Sequence, residues 1–363
     1  MAPIRLTCVA GARPNFMKVA ALLEAFRGRE RFAPRLVHTG QHFSPQMSRV
    51  FFEELELPQP DAYLGIAGGS HAVQTAEVMK SIEIEFTERR PELLVVVGDV
   101  NSTLAATLVA SKLGIRVAHV EAGLRSFDRN MPEEINRLVT DVLSDYLFVT
   151  EPSGVANLRA EGIAGERVFL VGNVMIDTLL RFRERAAEST IIDQLSLDAG
   201  GYAVVTLHRP SNVDDPGRLG ELVAMLKRVA EQTTVVFPVH PRTRKQAEEA
   251  GLTMDGLLCV PPLGYLDFLR LQSQARLVLT DSGGIQEETT ILGVPCLTLR
   301  ENTERPITIE QGTNKLAGTN PGAILEAVTQ ALAGPPPASQ TPALWDGHAA
   351  ERIADILQRL AIV

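Results

Sequence analysis

The feature that most constrains the fold of this chain is an alternation of short apolar runs with longer amphipathic segments. The runs are rich in β-branched residues and continuously apolar, which is typical of strands covered on both faces. Helical patterns lie between them, and this spacing predicts βαβ units and a parallel sheet. We expect strands at residues 4–10, 35–39, 93–98, 116–120, 146–150 and 168–171, and a second series at 203–207, 234–239, 257–260, 276–280 and 295–299.

A charged helical stretch at residues 177–197 separates the two series and predicts a passage between domains. The length of 363 residues agrees with two domains, because one domain takes roughly 100–200 residues. We therefore predict an α/β fold with two Rossmann-like, doubly wound domains, residues 1–173 and 174–346, facing a ligand-binding cleft. After a Pro-rich break at 334–337, we expect an amphipathic helix within 347–363 to pack back on the first domain.

Charge and composition exclude several classes of function. With 35 basic and 44 acidic side chains, the net charge of −9 argues against a nucleic-acid-binding or anionic-membrane surface. No apolar run approaches the roughly 20 residues that span a bilayer, and the N-terminus reaches a glycine too early for a signal sequence. Three scattered cysteines, Cys8, Cys259 and Cys296, predict buried free thiols without a metal site or disulfide framework. We expect a cytoplasmic location from this cysteine usage.

The loop after the first strand combines a glycine with two cations. Gly11 permits a close turn, the following helix N-terminus attracts anions, and Arg13 and Lys18 add positive charge. The segment matches neither the G-x-G-x-x-G nor the Walker pattern, so we expect neither a nicotinamide cofactor nor ATP. A turn with two solvated cations is the alternative.

Several acids mark strand and helix ends in the first half of the chain. Asp99 and Glu121 each follow an apolar run, and adjacent parallel strands would deliver both carboxylates to one cleft. For Asp99, a helix cap is the alternative. Glu133 and Glu134 lie in the first turn of a helix, where compensation of the helix dipole is the alternative for at least one of them.

The second half carries a histidine at a strand end and a Gly-rich turn. His208 follows an apolar run and is either catalytic or structural. The segment T-D-S-G-G-I-Q-E-E at 280–288 runs from a strand into a helix, and its amides and the Ser282 hydroxyl form a diphosphate cradle, with a bare Gly-rich turn as the alternative. Glu288 can accept hydrogen bonds from a ribose diol. Arg305 either clamps phosphate oxygens or forms a surface ion pair.

Taken in order along the chain, the segments HVEAGLRS, PEEINR, TDSGGIQEE and TERP resemble those of the non-hydrolysing UDP-N-acetylglucosamine 2-epimerases. The resemblance implies the two-domain glycosyltransferase-B architecture. It also implies reversible interconversion of UDP-N-acetylglucosamine (UDP-GlcNAc) and UDP-N-acetylmannosamine (UDP-ManNAc), by anti elimination of UDP to 2-acetamidoglucal and re-addition. It implies no cofactor and no metal. Members of this family are typically homodimers.

The same resemblance implies roles for individual residues. Three acids and one histidine would be catalytic: Asp99, Glu121, Glu133 and His208. The residues that would bind the substrate, including backbone for uracil at 263 and a ring face at 268, are Arg13, Lys18, Leu263, Phe268, Ser282, Gly283, Gly284, Glu288 and Arg305.

The chain departs from the family pattern in two segments, which leaves the accepted sugar open. Ala12 and Asn15 stand where the family's G-T-R-P-E has threonine and glutamate, and Leu207 stands where a glycine often precedes the histidine. The alternatives are an epimerase of another UDP-2-acetamido sugar such as a 2,3-diacetamido uronate, a hydrolysing epimerase, a glycosyltransferase of the same fold and a non-catalytic sensor.

A second binding function also stays open. Some members bind a second UDP-GlcNAc as an activator through a T-x-Q-H segment, which T-G-Q-H at residues 39–42 resembles. No arginine lies between Arg49 and Arg89, where such members have a partner for this segment.

Overall fold

The computed structural model describes residues 2–40, 45–66, 68–335 and 337–360. The chain forms two compact units, Met1–Arg181 with Ala343–Val363, and Phe182–Pro342. Each unit contains one parallel sheet with helices, which confirms the expected α/β class with two Rossmann-like domains. The functional division into 1–173 and 174–346 stays a prediction.

Among the described residues, the sheet of the first unit has seven parallel strands in the order β3-β2-β1-β4-β5-β6-β7. The strand order reverses between β1 and β4, and ligands of doubly wound folds bind at the carboxyl ends of the strands beside such a reversal. The strands are β1 Ile4–Ala10, β2 Phe32–His38, β3 Ala62–Tyr63, β4 Leu93–Val97, β5 Arg116–Ala122, β6 Tyr146–Val149 and β7 Val168–Leu170.

In the part of the second unit that the structure describes, the sheet has six parallel strands in the order β10-β9-β8-β11-β12-β13, with the reversal between β8 and β11. Its central strands are buried on both faces, which explains their continuously apolar sequences. The strands are β8 Tyr202–Thr206, β9 Thr234–Pro238, β10 Leu258–Val260, β11 Leu277–Thr280, β12 Cys296–Thr298 and β13 Asn314–Leu316.

Proline opens several helices, because its fixed φ suits the first turn, where its missing N–H has no intrahelical acceptor. A 3₁₀ turn spans Gly165–Arg167. The α-helices are α1 Arg13–Arg27, α2 Pro45–Glu54, α3 His71–Glu88, α4 Asn101–Lys112, α5 Pro132–Leu143, α6 Pro152–Ala160, α7 Val174–Ala187, α8 Ile191–Gln194, α9 Pro210–Val213, α10 Pro216–Ala230, α11 Pro241–Glu249, α12 Tyr265–Ser273, α13 Gly283–Leu292, α14 Ile307–Glu310, α15 Pro321–Ala333 and α16 Ala349–Arg359.

The last helix is fastened within the first unit. The buried carboxylate of Asp177 accepts the N–H groups of Ala349 at 3.1 Å and Ala350 at 2.6 Å, in the first turn of α16. Further along the helix, Arg29, two residues after the end of α1, forms an ion pair with Asp355 at 2.7 Å. A carboxylate at a helix N-terminus satisfies amides that have no acceptor within the helix.

Some sequence predictions are corrected by the structure. The edge strands β3 and β13 were not expected; they contain two and three residues, too few to show a periodicity. Cys8 and Cys296 are buried free thiols as expected, but the prediction is wrong for Cys259, which is only partly buried beside the edge of its sheet. Across the described ranges, no helix is long and apolar enough to cross a membrane.

Candidate active site

Glu121 occupies a strained backbone position at the carboxyl end of β5. The pairing of β5 with β6 shifts register between Val120 and Ala122, so Glu121 is the extra residue of a bulge, with a φ of 71°. This left-handed conformation costs a non-glycine residue roughly 1–2 kcal/mol, and it persists only where the surroundings hold it. Bulges of this kind redirect a side chain. Here the buried carboxylate of Glu121 contacts the ammonium of Lys18.

The contact between Lys18 and Glu121 shows that one interpretation of Lys18, a solvated cation in a turn, is wrong. The side chain belongs to α1 but is only 5% exposed, so it is not a solvated cation of a turn. Gly98 lies beside the pair, with a φ of 68°. A Cβ atom built on Gly98 would lie 3.1 Å from Glu121 Oε2 and 3.6 Å from Lys18 Nζ. A glycine at this position therefore lets the end of β4 approach the ion pair closely.

Asp99 follows Gly98 and is held by α5. Its Oδ2 atom lies 2.5 Å from Nη1 of Arg137, and its backbone oxygen accepts a 2.8 Å hydrogen bond from Nδ2 of Asn136. Asp99 is not the N-cap residue of α4, because that position is occupied by Val100. The side chain of Asp99 is 27% exposed, so it can reach a ligand.

The two acids in the first turn of α5 differ in environment. Glu134 is buried and accepts the backbone N–H groups of Ser126 at 2.9 Å and Phe127 at 3.0 Å. Burial raises the pKa of Glu134, but these N–H groups and the adjacent Arg137 outweigh it and leave the pKa lowered. Glu134 thus anchors the loop after β5, whereas Glu133 is partly exposed.

Two residues just after β1 remain to be placed: Arg13, which is predicted to bind the substrate, and Asn15, which departs from the family pattern. The side chain of Arg13, like Gln41 and His42 of the T-G-Q-H segment, lies outside the described residues. Asn15 accepts the Ala12 N–H at 3.2 Å and donates to the Val97 oxygen at 2.8 Å. It therefore ties the first turn of α1 to the end of β4, next to Gly98.

In the second unit, His208 is oriented by Asp281. Nδ1 of His208 lies 2.9 Å from Oδ1 of Asp281, which is fully buried at the end of β11. The Asp281 carboxylate also accepts the backbone N–H groups of His208 at 3.0 Å and Arg209 at 2.9 Å. Burial raises the pKa of Asp281, but His208 and these N–H groups lower it overall to about 2. His208 itself is 41% exposed at its side chain.

The Gly-rich turn begins α13. Ser282 is its N-cap residue, and the Ser282 side chain makes no cap hydrogen bond. The amides of the first turn have no acceptor within the helix, and a helix N-terminus attracts anions. A Cβ atom on Gly283 would lie 2.3 Å from Nη1 of Arg305, so only glycine fits beneath that guanidinium. Gly284, one position further on, is partly exposed.

Arg305 belongs to a buried cluster beside this turn. It forms ion pairs with Glu287 at 2.6 Å and Glu304 at 2.5 Å, so the surface ion-pair alternative is wrong. Arg300 pairs with Glu304 at 2.8 Å and Arg209 lies 3.6 Å from it. Within this cluster the three guanidinium groups exceed the two carboxylates by one positive charge, and the Asp281 carboxylate lies at the same turn, next to Ser282.

The other predicted groups of the second unit gather around α12. The buried carboxylate of Glu288 accepts hydrogen bonds from Tyr265 and from Gln272, both at 3.2 Å. Burial, and next the charge of Glu288, raise the pKa of the Tyr265 hydroxyl, which therefore stays a donor. Leu263 and Phe268 are partly buried against one apolar core.

The structure adds residues that the sequence predictions missed. Asp281 ends a strand in the second unit as Asp99 does in the first, so the rule that singled out Asp99 was sufficient to find it. Asn136 and Arg137 lie within PEEINR, but their role depends on the direction in which α5 faces. The predicted residues thus form one group at the carboxyl ends of the strands of each unit: Lys18, Asp99 and Glu121 in the first, and His208, Ser282, Gly283, Gly284 and Arg305 in the second. Glu133 lies in the first turn of α5.

Comparison with known proteins decides the family. A model of the family described as UDP-N-acetylglucosamine 2-epimerase matches residues 24–358. The chain belongs to the UDP-N-acetylglucosamine 2-epimerase family. It is 43% identical over 336 residues to a UDP-N-acetylglucosamine 2-epimerase of Methanocaldococcus jannaschii, covering 90% of this chain and 91% of that protein. The family expected from the four sequence motifs is therefore confirmed.

Two further similarities bear on the fold and on the substrate. A crystal structure of the M. jannaschii UDP-GlcNAc 2-epimerase in complex with UDP-GlcNAc and UDP matches with a TM-score of 0.92, at 41% identity, covering 98% of this chain and 99% of that one. A UDP-2,3-diacetamido-2,3-dideoxy-D-glucuronate 2-epimerase of Pseudomonas aeruginosa is 40% identical, covering 98% of this chain and 100% of that protein.

Proposed function

We propose that this epimerase interconverts UDP-GlcNAc and UDP-ManNAc without net hydrolysis. The observation that carries the proposal is the buried Lys18–Glu121 pair beside Asp99, at the carboxyl edge of the first sheet. The structure of a relative in complex with UDP-GlcNAc and UDP supports a UDP-sugar as the substrate. No cofactor and no metal take part in this proposal.

The chemistry explains why several carboxylates are needed. The hydrogen on C2 of the sugar is weakly acidic because no carbonyl group adjoins it. Breaking the C1–O bond with, or before, the C2–H bond develops positive character at C1 and makes that hydrogen more acidic. Elimination then gives 2-acetamidoglucal and UDP, and re-addition delivers a proton to the other face of C2. Two faces require two proton-transfer groups, each worth about 10²–10⁴-fold in rate.

The acids of the first unit fit these proton transfers. Glu121 carries its charge next to the Lys18 ammonium, which compensates the cost of a buried carboxylate. Asp99 is held by Arg137, and Glu133 lies at the start of the helix that supplies this arginine. We assign the proton transfers to these three carboxylates as a set. Lys18 and Arg13 would contact the substrate.

The groups of the second unit fit the departing UDP. The amides of Gly283 and Gly284, with the Ser282 hydroxyl and the Arg305 guanidinium, would stabilise the diphosphate as the C1–O bond breaks. Asp281 holds Nδ1 of His208, so Nε2 is the ring nitrogen available to the leaving group. Glu288, Leu263 and Phe268 would bind the uridine. In this proposal UDP is retained until it is added back, which distinguishes the reaction from hydrolysis.

A second candidate substrate is a UDP-2,3-diacetamido uronate. The P. aeruginosa enzyme named for that sugar is 40% identical to this chain, against 43% for the UDP-GlcNAc enzyme of M. jannaschii. Sequence identity does not separate the two sugars. A uronate adds a carboxylate at C6, so a panel of UDP-GlcNAc and the uronate distinguishes them by relative kcat/KM.

The experiment is incubation of the purified protein with UDP-GlcNAc in heavy water, followed by NMR. We expect deuterium at C2 and formation of UDP-ManNAc, with free ManNAc absent. Accumulation of free ManNAc would instead indicate a hydrolysing epimerase. Glu121→Gln should lose C2 exchange, whereas Glu77→Gln, at an exposed ion pair on α3, should keep it. Absence of exchange with every sugar of the panel would refute the proposal.

We further propose a homodimer, with the outer face of α5 as the surface between the copies. Four apolar residues lie at i, i+3, i+4 and i+7 on this face: Ile135, Leu138, Val139 and Val142. Ile135 is 48% and Val142 61% exposed. Such a stripe normally faces a core, and here a second copy would cover it. A cytoplasmic location and activation by a second UDP-GlcNAc remain predictions.

A further inference from the structure

His119 is a buried side chain that the reaction described above does not use. It lies on β5, two residues before Glu121, and is completely excluded from solvent. Its Nε2 atom lies 2.9 Å from the backbone oxygen of Gly98, and its Nδ1 atom lies 2.6 Å from Oδ1 of Asp141. A backbone oxygen only accepts hydrogen bonds, and so does a carboxylate. Both ring nitrogens are therefore placed to donate, which is the arrangement of an imidazolium.

Asp141 connects this imidazolium to the chain on the other side of Glu121. Its second oxygen, Oδ2, accepts the backbone N–H of Gly123 at 3.0 Å and lies 2.7 Å from Nη2 of Arg125. Arg125 in turn pairs with Glu161 at 2.6 Å. Burial raises the pKa of Asp141, but the charges of His119 and Arg125 outweigh it and hold the pKa below its ordinary value. The two cations and two carboxylates balance in charge.

These contacts fix the two turns that carry catalytic carboxylates. The oxygen of Gly98, which precedes Asp99, is held by His119, and the N–H of Gly98 donates to Val120 at 3.0 Å. The N–H of Gly123, just after the bulge at Glu121, is held by Asp141. His119 and Asp141 thus form a rigid connection from the end of β4 to the end of β5.

A purely stabilising role explains these residues poorly. Replacing a buried ionic group by well-packed apolar residues is often neutral or stabilising, so burial of charge is weak evidence for stability. A polar connection does, however, fix hydrogen-bond directions, which apolar packing does not. Misplacement of a reacting group by about 1 Å can cost about 10²-fold in rate.

We propose that His119, held as an imidazolium by Asp141, is a positioning residue that sets the placement of Asp99 and Glu121 for proton transfer at C2. The proposal rests on the proposed C2 epimerase function. It assigns no substrate contact to His119, because the side chain is buried beneath both turns.

Two substitutions each retain one of the two hydrogen bonds. His119→Gln places an amide near the position of Nε2 and can still donate to Gly98, whereas His119→Asn places one near Nδ1 and can still donate to Asp141. We expect kcat to fall by about 10–100-fold in both, with KM changed by less than about threefold and UDP affinity retained. The loss should be larger in His119→Asn, which releases the carbonyl next to Asp99.

The control separates positioning from loss of stability. Trp345→Phe removes another buried hydrogen bond of the same unit, from the indole N–H to the Thr150 oxygen at 3.0 Å. At a temperature where every variant is folded, this control should keep kcat. Equal losses of kcat in Trp345→Phe and the His119 variants, at equal losses of Tm, would overturn the positioning role.

A second measurement needs no variant. Nitrogen-15 NMR of the histidine rings in the wild-type protein at neutral pH should show one buried ring with protons on both nitrogens. A neutral ring at that position would overturn the proposal. Wild-type protein without C2 exchange on any UDP-sugar would overturn the proposed function and this role with it. Active wild type with unaffected His119 variants would overturn the positioning role alone.

Discussion

Replacing Asp281 by asparagine tests whether charge at this buried position orients His208. The carboxylate accepts backbone N–H groups from His208 and Arg209 and the side-chain amide of Asn212 at 3.2 Å, and it faces Nδ1 of His208. Asparagine has the same shape but one acceptor oxygen, and its NH₂ group would face groups that themselves donate. The substitution thus removes a charge and leaves buried donors without acceptors.

The size of the expected loss of stability follows from the pKa of the Asp281 carboxyl group. Its pKa is lowered from 3.8 to about 2 in the folded protein. At about 1.4 kcal/mol per pKa unit, this corresponds to roughly 2.5 kcal/mol of stability contributed by the ionised form. Donors left unsatisfied add a cost of the same order, so we expect Asp281→Asn to lower the free energy of unfolding by about 2–5 kcal/mol at pH 7.

The sign of the pH dependence is fixed by the lowered pKa. The stabilisation from Asp281 is fully present above pH 3.8 and is lost as the pH falls through about 2. The difference in unfolding free energy between wild type and Asp281→Asn should therefore be largest near neutral pH and shrink below pH 3.8. Urea titrations at several pH values, with Asp255→Asn at an exposed position of the same unit as the control, measure this difference.

Catalytic activity provides a second test of the Asp281→Asn variant. Loss of the group that holds Nδ1 should let the imidazole of His208 rotate or adopt the other tautomer, and we expect kcat to fall by about 10²–10⁴-fold. The reasoning is refuted if Asp281→Asn unfolds and turns over like wild type. It is also refuted if the stability difference is as large at about pH 2 as at pH 7, since the charge is then not its cause.

Three further variants test other parts of the structure. Gly98→Ala, at a φ of 68° and 3.1 Å from Glu121 Oε2, should lower stability by about 1–2 kcal/mol and reduce kcat, as thermal unfolding and the C2 exchange assay will show. Ile135→Glu with Val142→Lys should give a monomer in light scattering, while Ile309→Lys in the other unit should not. Burial raises the pKa of Asp177 to about 6, so its contribution to stability is present below pH 3.8 and is lost as the pH rises through about 6. Hydrogen exchange of α16 should show this pH dependence, and Asp177→Asn should abolish it.

The fold was predictable from the sequence where strands are buried on both faces. The run at 93–97 is apolar throughout because helices cover both sides of β4, and its pattern identifies it without any partner. The short edge strands β3 and β13 carry no such signal. They exist because a neighbouring strand offers its hydrogen-bonding groups, which is a property of the assembled sheet and not of their own residues.

The site was predictable to the level of residue type at strand ends. Asp99, Glu121 and His208 follow apolar runs, and that position alone makes a polar residue informative. The sequence does not reveal that Glu121 occupies a bulge with positive φ, because the bulge depends on the register between β5 and β6. It also does not reveal that Arg305 is buried, since the carboxylates that pair with it come from Glu287 and Glu304.

Helix α5 buries polar residues and exposes apolar ones, which is the reverse of the usual surface helix, and the hydrogen bonds of the site explain why. All of its fully buried residues are polar: Glu134, Asn136, Arg137, Thr140 and Asp141. Asn136, Glu134 and Asp141 face inward because the turns at Asp99, Ser126 and Gly123 need hydrogen-bond partners that apolar side chains cannot supply. The hydrophobic residues are thereby left on the outer face, where burial would contribute about 25 cal/mol per Å² only if another surface covers them. A second copy on that face would stabilise the same helix that holds the catalytic carboxylates, so assembly and activity should weaken together when the stripe is made polar.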